Sequence, residues 1–173
     1  IEYGIGSVIS GDSKKIQKFF IFVGDAGTGK STVLDIIKGM FKGYYATLDV
    51  ESIGMGKDFA LETLSENPLI GVQDDVELDR IEQNSRLNSI VSHEKIIVNE
   101  KHKKQYQAQF RTMIFVGANR EVRITDARSG LLRRIIDIEP TGKTFSYRDY
   151  VELTERIPFE YGAIAYKCLQ VYN

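Results

Sequence analysis

An α/β fold with a mainly parallel central sheet is predicted by three observations. The run Phe19-Phe20-Ile21-Phe22-Val23 is unbroken in its apolar character, as a strand buried on both faces requires. It passes into Gly24-Asp25-Ala26-Gly27-Thr28-Gly29-Lys30-Ser31, and then into a stretch where Val33, Leu34, Ile36, Ile37, Met40 and Phe41 recur at helical steps. Two more apolar runs follow, Leu69-Ile70-Gly71-Val72 and Met113-Ile114-Phe115-Val116, each leading into polar residues at its C-terminal end.

Residues 1–18 come first and read as an irregular lead-in, broken by Gly4, Gly6 and Gly11, with Lys14, Lys15 and Lys18 solvated. The glycine loop is next. Two glycines separated by four residues, followed by Lys and Ser, form a phosphate loop. Its glycines let backbone N–H groups turn toward phosphate oxygens, and the helix N-terminus adds a favourable dipole. The nucleotide-binding segment is thus Gly24, Asp25, Ala26, Gly27, Thr28, Gly29, Lys30, Ser31 and Thr32. Lys30 reaches the β- and γ-phosphates, and the Ser31 hydroxyl ligates Mg²⁺. The helix ends near Gly39 or Gly43.

Tyr44 to Val50 suggests a short second strand, Gly54-Met55-Gly56 a turn, and Phe59, Leu61 and Leu64 a short helix stopping before Pro68. Leu69 to Asp75 is then an apolar strand ending in two acids. Such a strand aims one carboxylate at the metal beside the phosphate loop, and the second polarises the attacking water. Asp74 is assigned to the metal, through water, and Asp75 to the nucleophilic water, with exchanged roles open and Glu77 the base if the register slips. Glu82 to Val91 reads as a helix. Ile96-Ile97-Val98 and Tyr106 to Phe110 flank Glu100-Lys101-His102-Lys103-Lys104, a β-hairpin with a basic tip. Lysines there either solubilise the protein or meet nucleic-acid phosphates.

Thr112 to Asn119 is another buried strand, and an amide at its C-terminal end is placed to orient water against a γ-phosphate. Arg120, Arg123, Arg128 and the Arg133-Arg134 pair follow, leading into the strand Ile135 to Ile138. The last part offers two amphipathic helices, Tyr147 to Arg156 and Phe159 to Tyr172, separated by Pro158. Tyr150, Phe159, Tyr161 and Tyr166 read as packing residues. His93 and His102 lack zinc-site spacing.

Composition narrows the class. The 173 residues suit one domain, and 42% apolar with 27% charged content is that of a soluble globular protein. No apolar run approaches a membrane span and no leader opens the chain, which starts at Ile1 and reads as part of something longer. The single Cys168 excludes an internal disulfide, fits a reducing, cytoplasmic setting and reads as a buried thiol. Net charge is −1, but the charge is segregated. Asp49 to Glu82 holds ten acids and two bases, whereas His93 to Arg134 holds ten bases (Lys and Arg) and four acids. An anionic partner is expected at the basic half.

With FFIFVGDAGTGKSTVLDII, LIGVQDD, IVSHEKIIVNEKHKK, TMIFVGAN and GLLRRIIDI in this order, the chain resembles the superfamily 3 helicase domain of phage, plasmid and large-DNA-virus primase–helicases. These segments match that family's Walker A, Walker B, B′ hairpin, motif C and arginine-finger segments, from about Phe19 to Glu139. The resemblance implies an AAA+-like, three-layer α/β/α P-loop NTPase core (residues 19–139), with residues 140–173 as C-terminal helices. It implies ATP and Mg²⁺ as ligands, and a hexameric ring in the full-length protein. Hydrolysis at subunit interfaces would drive the ring 3′ to 5′ along single-stranded DNA in the host cytoplasm. Carried over residue by residue, Lys30 and Ser31 bind phosphate and metal, Asp74 and Asp75 form the acidic pair, and Asn119 is the sensor. Lys101, His102, Lys103 and Lys104 fall in the DNA-contacting hairpin, and Arg133 or Arg134 is the finger, with Arg128 a lesser candidate. The acidic pair is Asp-Asp where the family often has one containing Glu. Neither a primase half nor a sizeable helical oligomerisation segment is present in the sequence. Two alternatives stay open: a P-loop phosphotransferase acting on a nucleoside or nucleotide, and a nucleotide-gated loader or scaffold that does not unwind DNA.

Overall fold

The computed structural model describes residues 1–76, 84–120 and 130–173. In chain order the elements are α1 (Glu2–Ile9), α2 (Ser13–Ile16), β1 (Phe19–Val23), α3 (Lys30–Met40), β2 (Tyr45–Thr47) and α4 (Val50–Gly54). Then come β3 (Ile70–Gln73), α5 (Asn84–Val91), the strands β4 (Lys95–Val98) and β5 (Tyr106–Gln109), β6 (Met113–Ala118), β7 (Ile135–Ile138) and α6 (Tyr147–Tyr172). Short 3₁₀ turns cover Glu62–Leu64 and Leu132–Arg134.

Five strands form one sheet in the order β2-β3-β6-β1-β7, and every pairing in it is parallel. The apolar runs account for this arrangement. β1 and β6 are buried along their whole length, and alternate side chains enter different cores. Phe19, Ile21, Ile114 and Val116 join one core with Ile53, Leu87 and Val98. Phe20, Phe22, Val72 and Phe115 join the other with Leu34, Ile37 and Val8. Phe20 and Phe115 stack there, with ring centroids 5.0 Å apart. Helices thus cover both faces, giving the expected α/β/α layering. The expected hairpin is present as a separate antiparallel pair, β4 with β5, with Val98 opposite Tyr106.

Three sequence expectations are corrected. The lead-in is not irregular, because Gly4 and Gly6 lie inside α1. Their missing side chains serve close packing: a Cβ on Gly4 would lie 2.4 Å from the Phe20 ring, and one on Gly6 would lie 2.2 Å from the Cys168 carbonyl oxygen. Glycine weakens a helix by about 1 kcal/mol relative to alanine, a cost that docking α1 on α6 offsets. We therefore expect Gly6→Ala to destabilise the fold by about 3 kcal/mol despite its better helix propensity, because overpacking outweighs it. Urea unfolding checks this, and an unchanged or raised midpoint would contradict it.

The C-terminal part is one helix, with Pro158 inside it. Proline removes one backbone donor and crowds the preceding turn. Both halves of α6 are nevertheless anchored. Ser146 caps its start, accepting from the Asp149 N–H at 3.2 Å. Tyr161 then lies over Gly39 of α3, and Cys168 is buried under α1. The aromatics do not all pack, since Phe159 is 91% exposed and Tyr166 is also exposed. Cys168 is the buried thiol expected, and burial raises its pKa. No helix among the described residues is long and apolar enough to cross a membrane.

Candidate nucleotide site and basic hairpin

The strand order decides which groups meet. β6 lies between the phosphate-loop strand β1 and the acid-bearing strand β3, so Asn119 emerges between the loop and the acids. Gly24, just past β1, donates its N–H to the Ala118 carbonyl at 3.1 Å. The chain leaving β3 crosses directly over Gly117, where a Cβ would lie 2.4 Å from the Asp74 carbonyl oxygen. Val76 then donates to the Gly117 carbonyl at 2.9 Å. This close crossing brings Asp75 to Asn119, whose amide donates to both carboxylate oxygens at 2.9 and 3.1 Å.

Gly27 and Gly29 take φ values of +80° and +90°, and α3 begins at Lys30 with Gly29 as its cap. Lys30 is only 7% exposed. Its ammonium donates to the Gly24 carbonyl at 2.5 Å and to the Asp25 carbonyl at 2.8 Å. Thr28 also donates to the Asp25 carbonyl, at 2.8 Å. The loop is thereby wrapped around its own lysine. Those carbonyls are the contacts the ammonium would exchange for phosphate oxygens.

Asp74 continues the alternation from Val72 and faces α3, where it meets Lys38 at 3.1 Å; Lys38 also pairs with Asp35 at 2.6 Å. Burial works against the Lys38 ammonium, but its hydrogen bonds with Asp35 and Asp74 outweigh it, and its pKa is raised. Sequence reasoning missed Lys38, whose place three residues after Asp35 reads as an ordinary helix-surface pair.

A cavity of about 920 Å³ joins the loop, Asp74, Asp75 and Asn119. Its far wall is Phe145, Tyr147, Tyr150, Leu153 and Ile157, opposite Val33 and Ile36. Tyr150 lies 3.3 Å from the Thr32 hydroxyl, and Tyr147 is 85% exposed. These aromatics sit on the helix start, not in the core that sequence periodicity suggested for Tyr150. Their signal was two aromatics, Phe145 and Tyr147, in an otherwise polar stretch after Gly142.

Among the described residues no group of three or more His, Cys, Asp or Glu side chains could hold a metal. The donor set does fit Mg²⁺, which takes one or two protein oxygens and keeps the rest for phosphates and water. Ser31 and Asp74 line the same cavity and could serve as such donors.

The arginine pair is divided by its surroundings. Arg134 is partly buried and donates to the Gln17 side chain at 3.2 Å, whereas Arg133 is exposed. Neither is near the loop of its own chain. Ile135 pairs with Phe19 at the start of β1, and the five residues of β1 span about 16 Å. Arg123, Arg128, Glu77 and the start of the Glu82 helix lie outside the described residues.

The basic tip lies apart from the cavity. Lys101, His102, Lys103 and Lys104 are all exposed. His102 has φ +64° within a turn closed by the Lys103 N–H on the Glu100 carbonyl at 3.2 Å. His93 differs, being buried, and burial first, then Lys14 and Arg111, push its pKa down to about 4. It is a neutral interior group and adds nothing to the positive charge.

The sheet order, the loop and the separate hairpin together define a phosphate-loop α/β fold. The C-terminal region of NrS-1 superposes with a TM-score of 0.71 at 20% identity, over 95% of this chain and 40% of that one. Inhibitor-bound JCV helicase superposes with a TM-score of 0.55 at 17% identity, over 99% of this chain and 48% of that one. The chain thus spans less than half the length of either structure. It belongs to the family of unknown function DUF5906, whose profile matches residues 22–134. No curated protein matches it in sequence.

Proposed function

We propose that this chain is the motor domain of an ATP-dependent DNA helicase that works as a homo-oligomeric, hexameric ring on single-stranded DNA. The observation that carries the reading is the Asn119–Asp75 pair beside the phosphate loop. A polar sensor held against an acid, at the mouth of a phosphate cavity, suits coupling nucleotide state to the neighbouring strand. The name of the JCV helicase neighbour points the same way.

In this reading the loop N–H groups and Lys30 bind the β- and γ-phosphates, and the aromatic wall of Phe145, Tyr147 and Tyr150 receives the base. Ser31 and Asp74 would hold Mg²⁺, which would supply neutralising charge for the phosphates. Asp74, paired with Lys38 in this structure, would exchange that partner for the metal. Asp75, oriented by Asn119, accepts the proton of a water that attacks the γ-phosphorus as the bond to the β-phosphate oxygen breaks. Arg133, exposed and a strand length from its own loop, completes the site of an adjacent subunit. Lys101 and Lys104 on the hairpin tip contact the DNA backbone, a sequence-independent and salt-sensitive interaction.

Strand separation on a forked duplex by the complete polypeptide tests this reading. The Lys101→Ala, Lys104→Ala double variant should keep basal phosphate release and lose at least tenfold of its stimulation by single-stranded DNA. A double variant that responds to DNA as the parent does would remove the hairpin from the DNA interface.

A further inference from the structure

Glu100 is a buried carboxylate beside the exposed lysines of the hairpin tip, and the functions assigned above make no use of it. It is 4% exposed although it stands one residue from the lysine-rich tip. Its carboxylate accepts the Lys103 ammonium at 2.5 Å and the Tyr106 hydroxyl. Its carbonyl accepts the Lys103 N–H at 3.2 Å. One residue thus binds Lys103 through both main chain and side chain and ties the turn to the first residue of β5. Hydrogen bonds from Lys103 and then Tyr106 hold the Glu100 pKa below the usual carboxylate value, and the Lys103 pKa is raised in return. Among the described residues, the other exposed tip cations, Lys101 and Lys104, carry no such clamp.

We infer that Glu100 is the positioning residue of the hairpin tip, holding Lys103 within the turn so that Lys101 and Lys104 carry the phosphate contacts. The inference rests on the nucleic-acid reading of the hairpin. It divides three tip lysines that look equivalent in sequence into two contacts and one held in the turn. Lys103 and Glu100 form a neutral unit that fixes the turn around His102, and the remaining positive charge is presented outward.

The test is the salt dependence of binding of the complete chain to a fluorescein-labelled oligo-dT, followed by anisotropy. Each phosphate contact on a single strand contributes about 0.7 to the slope of log affinity against log salt. Lys101→Met and Lys104→Met should each lower the slope by about 0.7. Glu100→Gln keeps an acceptor for Tyr106 and frees Lys103, so the slope should rise by about 0.7, with affinity about fivefold tighter at low salt. The double variant Glu100→Gln, Lys103→Gln preserves net charge and should keep the parental slope, with affinity within about twofold. Thermal melting by circular dichroism confirms that each variant is folded. An unchanged slope in Glu100→Gln, or a double variant whose slope falls as far as that of Lys104→Met, would overturn the inference and leave the nucleic-acid reading intact. A parental chain with no salt-dependent oligo-dT binding would overturn both.

Discussion

Lys30→Ala is expected to weaken ATP binding by at least a hundredfold and to bring phosphate release to background. The size follows from where the ammonium sits. It is nearly excluded from solvent, at the first residue of α3 and the floor of the cavity. Removing one partner of a buried, hydrogen-bonded charge pair costs about 2–5 kcal/mol, and the phosphate left behind has no replacement cation in the loop. The free protein should suffer less, since its ammonium binds only two loop carbonyls that can turn to water. Thermal melting separates the two effects. Saturating ATP should raise the melting temperature of the parent, as about 2.7 kcal/mol of linkage at a hundred times Kd would, and leave Lys30→Ala unmoved. A variant that gains as much as the parent would show that the loop binds no phosphate.

Arg133→Ala should lower turnover by about a thousandfold in the assembled protein while leaving ATP affinity within about twofold, the pattern of an arginine acting on transition-state charge. Arg134→Ala should act on stability instead, through the lost contact with Gln17. The two adjacent arginines differ because the 3₁₀ turn leading into β7 points one inward and leaves the other exposed. Mixing supplies the stronger check. Lys30→Ala and Arg133→Ala chains should each be inactive, but a mixed ring of the proposed kind would contain interfaces that pair an intact loop with an intact arginine. Activity recovered on mixing supports completion of the site from a neighbouring subunit, and none recovered from chains shown to co-assemble contradicts it.

Much of this was legible in the sequence because buried parallel strands impose a strong pattern. Phe19 to Val23 and Met113 to Ala118 must be apolar at every position, since each face meets a different core. Residue types then marked the strand ends, where Lys30, Asp74, Asp75 and Asn119 come together in one cavity. Glycine was misread where its role is packing between helices: Gly4 and Gly6 look like breakers unless one knows that Phe20 and Cys168 lie against them. Pro158 was misread as a boundary, because anchoring of the two halves of α6 depends on α1 and α3, far away in sequence. The Lys38–Asp74 pair and the Glu100 clamp were invisible for a related reason. Each requires knowing which way a side chain leaves its strand or turn, and spacing alone does not carry that.

The most direct measurement is release of inorganic phosphate from Mg·ATP by the complete polypeptide, with and without single-stranded DNA, alongside Asp75→Asn. Slow basal hydrolysis, stimulated at least tenfold by DNA and abolished in Asp75→Asn, is the predicted result. Transfer of the γ-phosphate to a nucleoside or nucleotide acceptor, or hydrolysis that persists in Asp75→Asn, would contradict the account.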